Sequence, residues 1–125
     1  MTDEPERRFT PEEANALLPE LTELLPTVRE ARQTIFRAGE HIKSTAPTNG
    51  GGVQGKEYWE TISTLRRAIE HLAEEGIILR DAETGLVDFP STRDGREVFL
   101  CWRLGEPGVA FWHGERGGFA GRRPL

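Results

Sequence analysis

Apolar residues recur along the first part of this chain in alternating steps of three and four residues. The series runs without a break from Ala14 to Ile42, and a second run with the same spacing lies between Lys56 and Glu75. Such spacing puts all members on one face of a helix, which needs a partner to bury it. The two runs therefore predict two long helices packed as an antiparallel hairpin. The series are Ala14, Leu17, Leu21, Leu24, Val28, Ala31, Ile35, Ala38 and Ile42, and then Tyr58, Ile62, Leu65, Ile69 and Leu72.

The start of the first helix carries its own signals. Thr10 suits an N-cap, Pro11 suits the first helical position, and Glu13 stands where a capping-box carboxylate reaches back. Pro19 predicts that a short first helix ends just before it. Pro26 predicts a bend and not a break, because the apolar series continues in phase through it.

Residues 44–55 contain four glycines, one proline and almost no apolar surface. This composition predicts a flexible connection between the helices. We expect the second helix to run from about Lys56 to Glu75, because Gly76 is a natural helix stop.

After Gly76 the pattern changes to short runs of branched and aromatic residues separated by turn residues. This alternation predicts an antiparallel meander of three or four strands. The expected fold is therefore α+β, a single domain over residues 1–125 with the hairpin at about 10–75 and the sheet and tail at about 76–125. The expected strands are Ile77–Arg80, Leu86–Phe89, Glu97–Leu104 and Val109–His113, and the expected turns include Pro90–Gly95 and Gly105–Gly108.

The last hairpin predicts which side chains share a face of the sheet. A loop at Gly105–Gly108 would pair the strands so that one face is the obvious core side. The other face is also largely apolar, so we expect either the tail Gly114–Leu125 or another subunit to cover it. The predicted core face has Val98, Leu100, Trp102, Leu104, Val109, Phe111 and His113, and the reverse face has Phe99, Cys101, Arg103, Ala110 and Trp112.

Charge and composition narrow the classes of function. The chain has 125 residues and a formal net charge of −5, with 36% hydrophobic and 30% charged residues, which is typical of one folded, water-exposed domain. The net charge argues against nucleic acid as a partner, because a phosphate-backbone binder needs a concentrated basic face. Cys101 is the only cysteine, so no internal disulfide is possible. No run of residues has the length and apolarity of a membrane span, and the polar N-terminus is not a secretory signal. The cytoplasm is the expected location.

Short motifs at both ends of the chain carry a family resemblance. The chain opens with Phe9-Thr10, Glu13-Ala14-Asn15 and Leu18-Pro19. Its second half contains Gly76-Ile77, Leu79-Arg80-Asp81, Gly85-Leu86-Val87-Asp88-Phe89-Pro90, Asp94-Gly95-Arg96, Leu100-Cys101-Trp102, Gly105-Glu106, Trp112-His113 and Gly118-Phe119-Ala120-Gly121-Arg122-Arg123-Pro124. Together these segments resemble the bacterial family catalogued as domain of unknown function 2203. The resemblance implies small stand-alone proteins with no assigned activity, and it supplies no catalytic residues.

The polar residues inside these motifs are the candidate site residues. Asp88, Glu106, His113 and Arg122, with Cys101 beside them, offer the carboxylate, imidazole and thiol groups that divalent metals and general bases use. Their spacing matches no metal or catalytic motif. We therefore assign no catalytic residue, no metal-ligand set and no cofactor from the sequence.

Each of these residues also has a structural interpretation. Asp88 could form a buried ion pair with Arg103 or Arg122. Glu106 could cap backbone amides at its turn, and His113 could donate to a backbone carbonyl. Cys101 on a strand is typically a small buried apolar side chain. The predicted pairing puts Cys101 and His113 on opposite faces, which argues against a catalytic pair.

A set of aromatic residues in the same half, Trp102, Phe111, Trp112 and Phe119, could line a ligand pocket. Trp102 is the aromatic candidate for the ligand site. Packing in the core explains the same residues.

Three functional hypotheses follow. The leading one is a non-catalytic interaction module that acts as a homo-oligomer, most simply a dimer. The alternative is a small-ligand or metal site, which could be enzymatic, at the sheet edge near Asp88, Glu106, His113 and Arg122. The third is anion or nucleic-acid binding through the tail arginines Arg116, Arg122 and Arg123.

Overall fold

The computed structural model describes residues 7–45 and 52–125, with side chains for residues 7–40 and 55–125. Three helices precede an antiparallel sheet, which confirms the α+β class. The helices are α1 (Pro11–Ala16), α2 (Leu18–Thr45) and α3 (Gly52–Glu75). The strands are β1 (Ile78–Asp81), β2 (Leu86–Arg93), β3 (Arg96–Arg103), β4 (Phe111–His113) and β5 (Arg123–Pro124), in the order β1-β2-β3-β4-β5.

The predicted capping box at the start of α1 is present. The Glu13 amide donates to Thr10 Oγ1, and the Thr10 amide donates to Glu13 Oε1, both at 3.0 Å. The helix ends at Ala16, and α2 begins at Leu18 and continues through Pro26. The prediction of a short first helix before Pro19 is therefore confirmed.

The two long helices form the predicted hairpin. His71 near the end of α3 contacts Glu20 near the start of α2, so the two helices run antiparallel. The second helix begins at Gly52 and not near Lys56. Of the predicted flexible connection at 44–55, residues 46–51 lie outside the described residues.

The hydrophobic core lies between the hairpin and one face of the sheet. Leu21, Leu25 and Leu72 from the helices are nearly inaccessible to solvent, as are Val87 and Phe89 from β2. The same core includes Phe9, Ala14, Leu18, Ile77, Leu100, Trp102 and Val109.

The sheet has five strands, one more than the largest predicted number, because Arg123–Pro124 of the tail pairs with β4. Strand β2 continues through the predicted turn Pro90–Gly95 to Arg93, so the true turn is Asp94-Gly95, with φ of 54° and 78°. Pro90 is tolerated in β2 because its ring nitrogen points to the side without a β-strand neighbour. On that side the amide of Phe9 donates to the Pro90 carbonyl at 2.7 Å.

The predicted register of the last hairpin is wrong by one residue. Leu100 lies opposite Trp112, and Cys101 lies opposite Phe111. Val109 leaves the sheet to enter the core, where its amide donates to Asn15 Oδ1 of α1 at 2.9 Å. The connection between β3 and β4 is therefore residues 104–110, and the shift of one residue moves every β4 side chain to the other face.

Candidate functional site

Three central strands bring a carboxylate, a thiol and an imidazole together on the sheet face opposite the helices. Asp88 on β2 lies directly opposite Cys101 on β3, and His113 on β4 lies opposite Phe99, two residues before Cys101. The prediction that Cys101 and His113 lie on opposite faces is therefore wrong. One ligand atom from each of Asp88, Cys101 and His113 lies within 4.8 Å of the other two. Their exposed fractions are only 1%, 1% and 3%.

Asp88 has one well-bonded carboxylate oxygen and one without a partner. Its Oδ2 accepts a hydrogen bond from Arg80 Nε at 2.7 Å and lies 2.9 Å from His113 Nε2. Its Oδ1 is buried and has no hydrogen-bond partner among the described residues. The predicted ion pairs of Asp88 with Arg103 or Arg122 are wrong, because Arg80 of β1 occupies that role. A buried oxygen left without a partner costs about 1–3 kcal/mol.

The ring of His113 is held by acceptors at both nitrogens. Nδ1 lies 2.6 Å from the Gly114 carbonyl oxygen, which can only accept, so Nδ1 carries a proton. This contact confirms the predicted bond to a backbone carbonyl. Nε2 faces a carboxylate oxygen, and that contact is favourable only when a proton or a cation lies between the two atoms.

Cys101 is a buried thiol. Burial, and then the negative charge of Asp88, raises the pKa of the Cys101 thiol to about 11. A thiol with that pKa is protonated at neutral pH and is a poor nucleophile. The geometry therefore argues against nucleophilic catalysis by Cys101.

The candidate residues Glu106 and Arg122 form an ion pair next to this cluster. Arg122 donates to Glu106 through both terminal nitrogens, at 3.0 and 2.8 Å. Its guanidinium lies 4.1 Å from the ring centres of both Phe111 and Phe119, and one of its nitrogens is 3.9 Å from Cys101 Sγ. The hydrogen bonds from Arg122 lower the pKa of Glu106, and those to Glu106 raise the pKa of Arg122. Arg122 thus fastens the tail across the face that carries the cluster.

Glu106 also performs the structural role expected of it. Its Oε1 accepts a hydrogen bond from the Arg103 amide at 2.8 Å, which confirms the predicted backbone cap. Its backbone carbonyl accepts a bond from Trp102 Nε1 at 3.0 Å. Trp102 is 2% exposed in the core on the helix side of the sheet, so the structure does not bring it to the other candidates.

Arg80 is the site residue that sequence reasoning missed. It precedes the turn into β2, and within β1 it lies on the same face as Ile78, which is opposite Asp88. Its guanidinium lies 5.1 Å from the ring centre of Phe99. No alternation along β1 could have given this contact, because the register between β1 and β2 shifts between Leu79 and Asp81, where Arg80 lies.

A second group of potential metal ligands lies on the helical hairpin. Glu20, His71 and Glu75 also bring three ligand atoms within 4.8 Å of one another, but their side chains are 27–43% exposed. The contact with Glu20 raises the pKa of His71. Exposed groups of this kind are common on helix surfaces, so this cluster serves best as a control for the buried one.

Comparison with known proteins identifies the family. A family model described as an uncharacterized conserved protein, DUF2203, matches residues 7–125. The chain belongs to the DUF2203 family. Its family match covers both the capped first helix and the tail that carries Arg122. No curated protein and no solved structure matched the chain.

The DUF2203 assignment supplies no activity for the buried cluster. Within the described residues, no helix has the length and apolarity needed to cross a membrane. The functional assignment therefore depends on the geometry of Asp88, Cys101 and His113.

Proposed function

We propose that this protein binds one divalent transition-metal ion, most suitably Zn²⁺, through Asp88, Cys101 and His113. One observation carries the proposal. Three different ligand types from three strands converge in a buried place, where Asp88 Oδ1 has no hydrogen-bond partner by distance and angle among the described residues. A cation at their centre would satisfy that oxygen and the unprotonated form of His113 Nε2.

The size and chemistry of the cluster fit such an ion. Zn²⁺ bonds of about 2.0–2.3 Å put tetrahedral ligands about 3.3–3.8 Å apart, and the three ligand atoms lie within 4.8 Å of one another, so small movements would suffice. Thiolate and imidazole ligands suit Zn²⁺ better than Mg²⁺ or Ca²⁺. The Nδ1 contact of His113 with the Gly114 carbonyl is the supporting bond that metal-binding histidines typically make.

Two changes near the cluster must accompany metal binding: Arg80 must move away from Asp88, and Cys101 must lose its proton. The Arg80 side chain is 42% exposed, so it can release Asp88 and extend into water at little cost. The Cys101 thiol, with its raised pKa, must lose its proton to become a ligand. The affinity for metal should therefore rise with pH, by about tenfold per pH unit for each proton displaced.

Burial indicates the role of the ion. A catalytic zinc keeps a coordination position that solvent and substrate can reach. All three ligands here are nearly inaccessible, and Arg122 and Phe119 of the tail pack over the same face. We therefore propose a structural ion that holds the three central strands of the sheet together.

Cobalt substitution tests the proposal directly. Protein stripped with a chelator is titrated with Co²⁺ and then with Zn²⁺, and absorption and calorimetry are recorded at several pH values. We expect one equivalent to bind, with thiolate-to-cobalt charge-transfer absorption that Cys101→Ser abolishes. Asp88→Asn and His113→Gln should each weaken Zn²⁺ binding by about tenfold or more.

The exposed cluster on the hairpin supplies the matched control. The double variant Glu20→Gln/His71→Gln should bind Co²⁺ as the unchanged protein does. Loss of binding in this control, with no change in Cys101→Ser, would assign the metal to the helix surface. Circular dichroism of each variant separates lost ligands from lost folding. Absence of any binding at micromolar metal in folded, unsubstituted protein would end the proposal.

Self-association is the second candidate function, and a different observation now favours it. The reverse face of the sheet, which led us to expect an oligomer, is contacted by Arg122 of the chain's own tail. On the hairpin, however, Phe36 is 68% exposed and Trp59 is 65% exposed. We propose that a second copy of the chain covers these two side chains.

A further inference from the structure

A basic groove lies on the helix side of the sheet. It has a volume of about 1010 Å³ and is lined by residues of the β2–β3 hairpin, β4 and the tail. Arg93, Arg96 and Arg123 lie on the same face as Trp112, and Arg116 joins them from the turn after β4. This arrangement collects four of the chain's arginines at one place.

The four guanidinium groups have no anionic partner in the part of the protein that the structure describes. Among the described residues, Arg93, Arg96, Arg116 and Arg123 are all exposed, and none of their side chains forms a hydrogen bond or an ion pair. Arg93 and Arg123 lie over the Trp112 ring, at 4.9 and 5.6 Å from its centre. Stacking on an aromatic face holds a guanidinium in place while its N–H groups stay free to donate.

The acids of the groove do not neutralise this charge. Glu97 forms an ion pair with Arg8. The negative charges of Asp94 and Glu115 then remain to balance the positive charges of the four arginines. The groove therefore carries net positive charge on a protein whose formal net charge is −5.

The register of the β2–β3 hairpin adds an independent sign of function. Arg93 lies directly opposite Arg96, on either side of the Asp94-Gly95 turn. Like charges directly opposite each other destabilise an antiparallel pair. An anion bound between the two guanidiniums would remove that repulsion.

We propose that this groove binds a small soluble ligand with two or more linked phosphate groups, held by Arg93, Arg96, Arg116 and Arg123. One guanidinium group can donate two parallel hydrogen bonds to two oxygens of a phosphate. The volume of the groove suits a ligand the size of a nucleotide. Nucleic acid fits less well, because the negative charge of the rest of the protein repels a long polyanion. The site is separate from Asp88, Cys101 and His113, and it does not depend on the metal.

Calorimetric titration of the purified protein with pyrophosphate and with ATP tests the proposal. We expect saturable binding of one equivalent, accompanied by a change in tryptophan fluorescence that Trp112→Phe removes. The double variant Arg93→Gln/Arg96→Gln should weaken binding by about tenfold or more, because each lost charge-assisted hydrogen bond contributes at that level. These residues are exposed, so the variant should fold normally, and circular dichroism checks this.

A second double variant controls for net charge. Arg66→Gln/Arg67→Gln removes the same charge from an exposed part of α3 and should bind both ligands as the unchanged protein does. If both double variants lost the same affinity for the two ligands, the effect would come from the net charge of the protein and not from the groove, and the proposal would be overturned. So would absence of saturable binding, or equally strong binding of sulfate. Tighter binding of single-stranded RNA than of ATP, with affinity rising with length, would also overturn it.

Discussion

Glu106 shows how a single carboxylate can join three parts of this molecule. Its side chain binds Arg122 of the tail and the Arg103 amide at the end of β3, while its carbonyl binds Trp102 in the core. The Arg122 guanidinium is enclosed by two aromatic rings and is largely shielded from water. Charge-assisted bonds in such surroundings are stronger than those at an open surface.

The lowered pKa of Glu106 makes a prediction about acid. A carboxylate whose pKa is lower in the folded state adds stability at pH values above its ordinary value of 4.5, and this contribution disappears as the pH falls through the folded-state pKa. Glu106→Gln should therefore lower the free energy of unfolding by about 1–2 kcal/mol at neutral pH. The difference between the two proteins should shrink toward zero in acid. Urea denaturation at a series of pH values measures it.

The exposed Glu60 on α3 provides the control for this experiment. Glu60→Gln should leave the free energy of unfolding nearly unchanged at every pH, because surface substitutions have small effects. If the cost of Glu106→Gln stayed constant into strong acid, the Glu106–Arg122 pair would not be its cause.

At the scale of the elements, the buried side chains of α3 are not all the ones that the apolar spacing predicted. Leu72 is 2% exposed and Ala68 is 5% exposed, so the buried stripe passes through both. Ile69, which the spacing placed on the buried face, is 40% exposed. Positions 68 and 69 are neighbours at the edge of the stripe, and the small side chain of Ala68 suits the close approach of another helix.

A matched pair of substitutions on α3 measures this difference. Leu72→Ala should lower the free energy of unfolding by about 2–5 kcal/mol, because it leaves a cavity in the core. Ile69→Ala should cost less than about 1 kcal/mol, since much of that side chain is already in water. Chemical denaturation with unchanged m-values gives both numbers. Equal costs would place both side chains in the same buried interface.

At the scale of the whole molecule, the functional features are distributed over separate surfaces. The cluster of Asp88, Cys101 and His113 lies on the sheet face away from the helices, the basic groove lies on the opposite face, and the exposed aromatic residues lie on the hairpin. The tail connects the first two, because Arg122 packs over the cluster and Arg123 lines the groove. Binding at either site should therefore help to order the tail.

The proposed self-association makes a prediction at this scale. Light scattering should show a dimer at micromolar concentration, and Phe36→Glu/Trp59→Glu should convert it to a monomer by putting charge into the interface. Leu125→Glu, at an exposed position far along the chain in the tail, should remain a dimer. A monomer in the unsubstituted protein would remove the second candidate function.

Local chemistry explains which parts of this fold were predictable. The Thr10–Glu13 capping box, the helix stop at Gly76 and the helical spacing up to Ala38 depend on neighbours within a few residues. Strands near Ile77 and Leu86 could be recognised for the same reason. Five members of the site, Asp88, Cys101, Glu106, His113 and Arg122, were chosen for their chemistry, which is visible in any single sequence.

The assembly of those residues depended on contacts between distant parts of the chain. The bond from Val109 to Asn15 Oδ1, across 94 positions, draws Val109 out of the sheet and shifts β4 by one residue. Because side chains alternate along a strand, that single shift moves His113 to the same face as Cys101 and Asp88. Pairing of Arg80 with Asp88 likewise needed the register of β1. Helix starts and turns depend on residues close in sequence, so the sequence alone predicts them. Strand register depends on the packing of the whole core, so only the tertiary structure determines it.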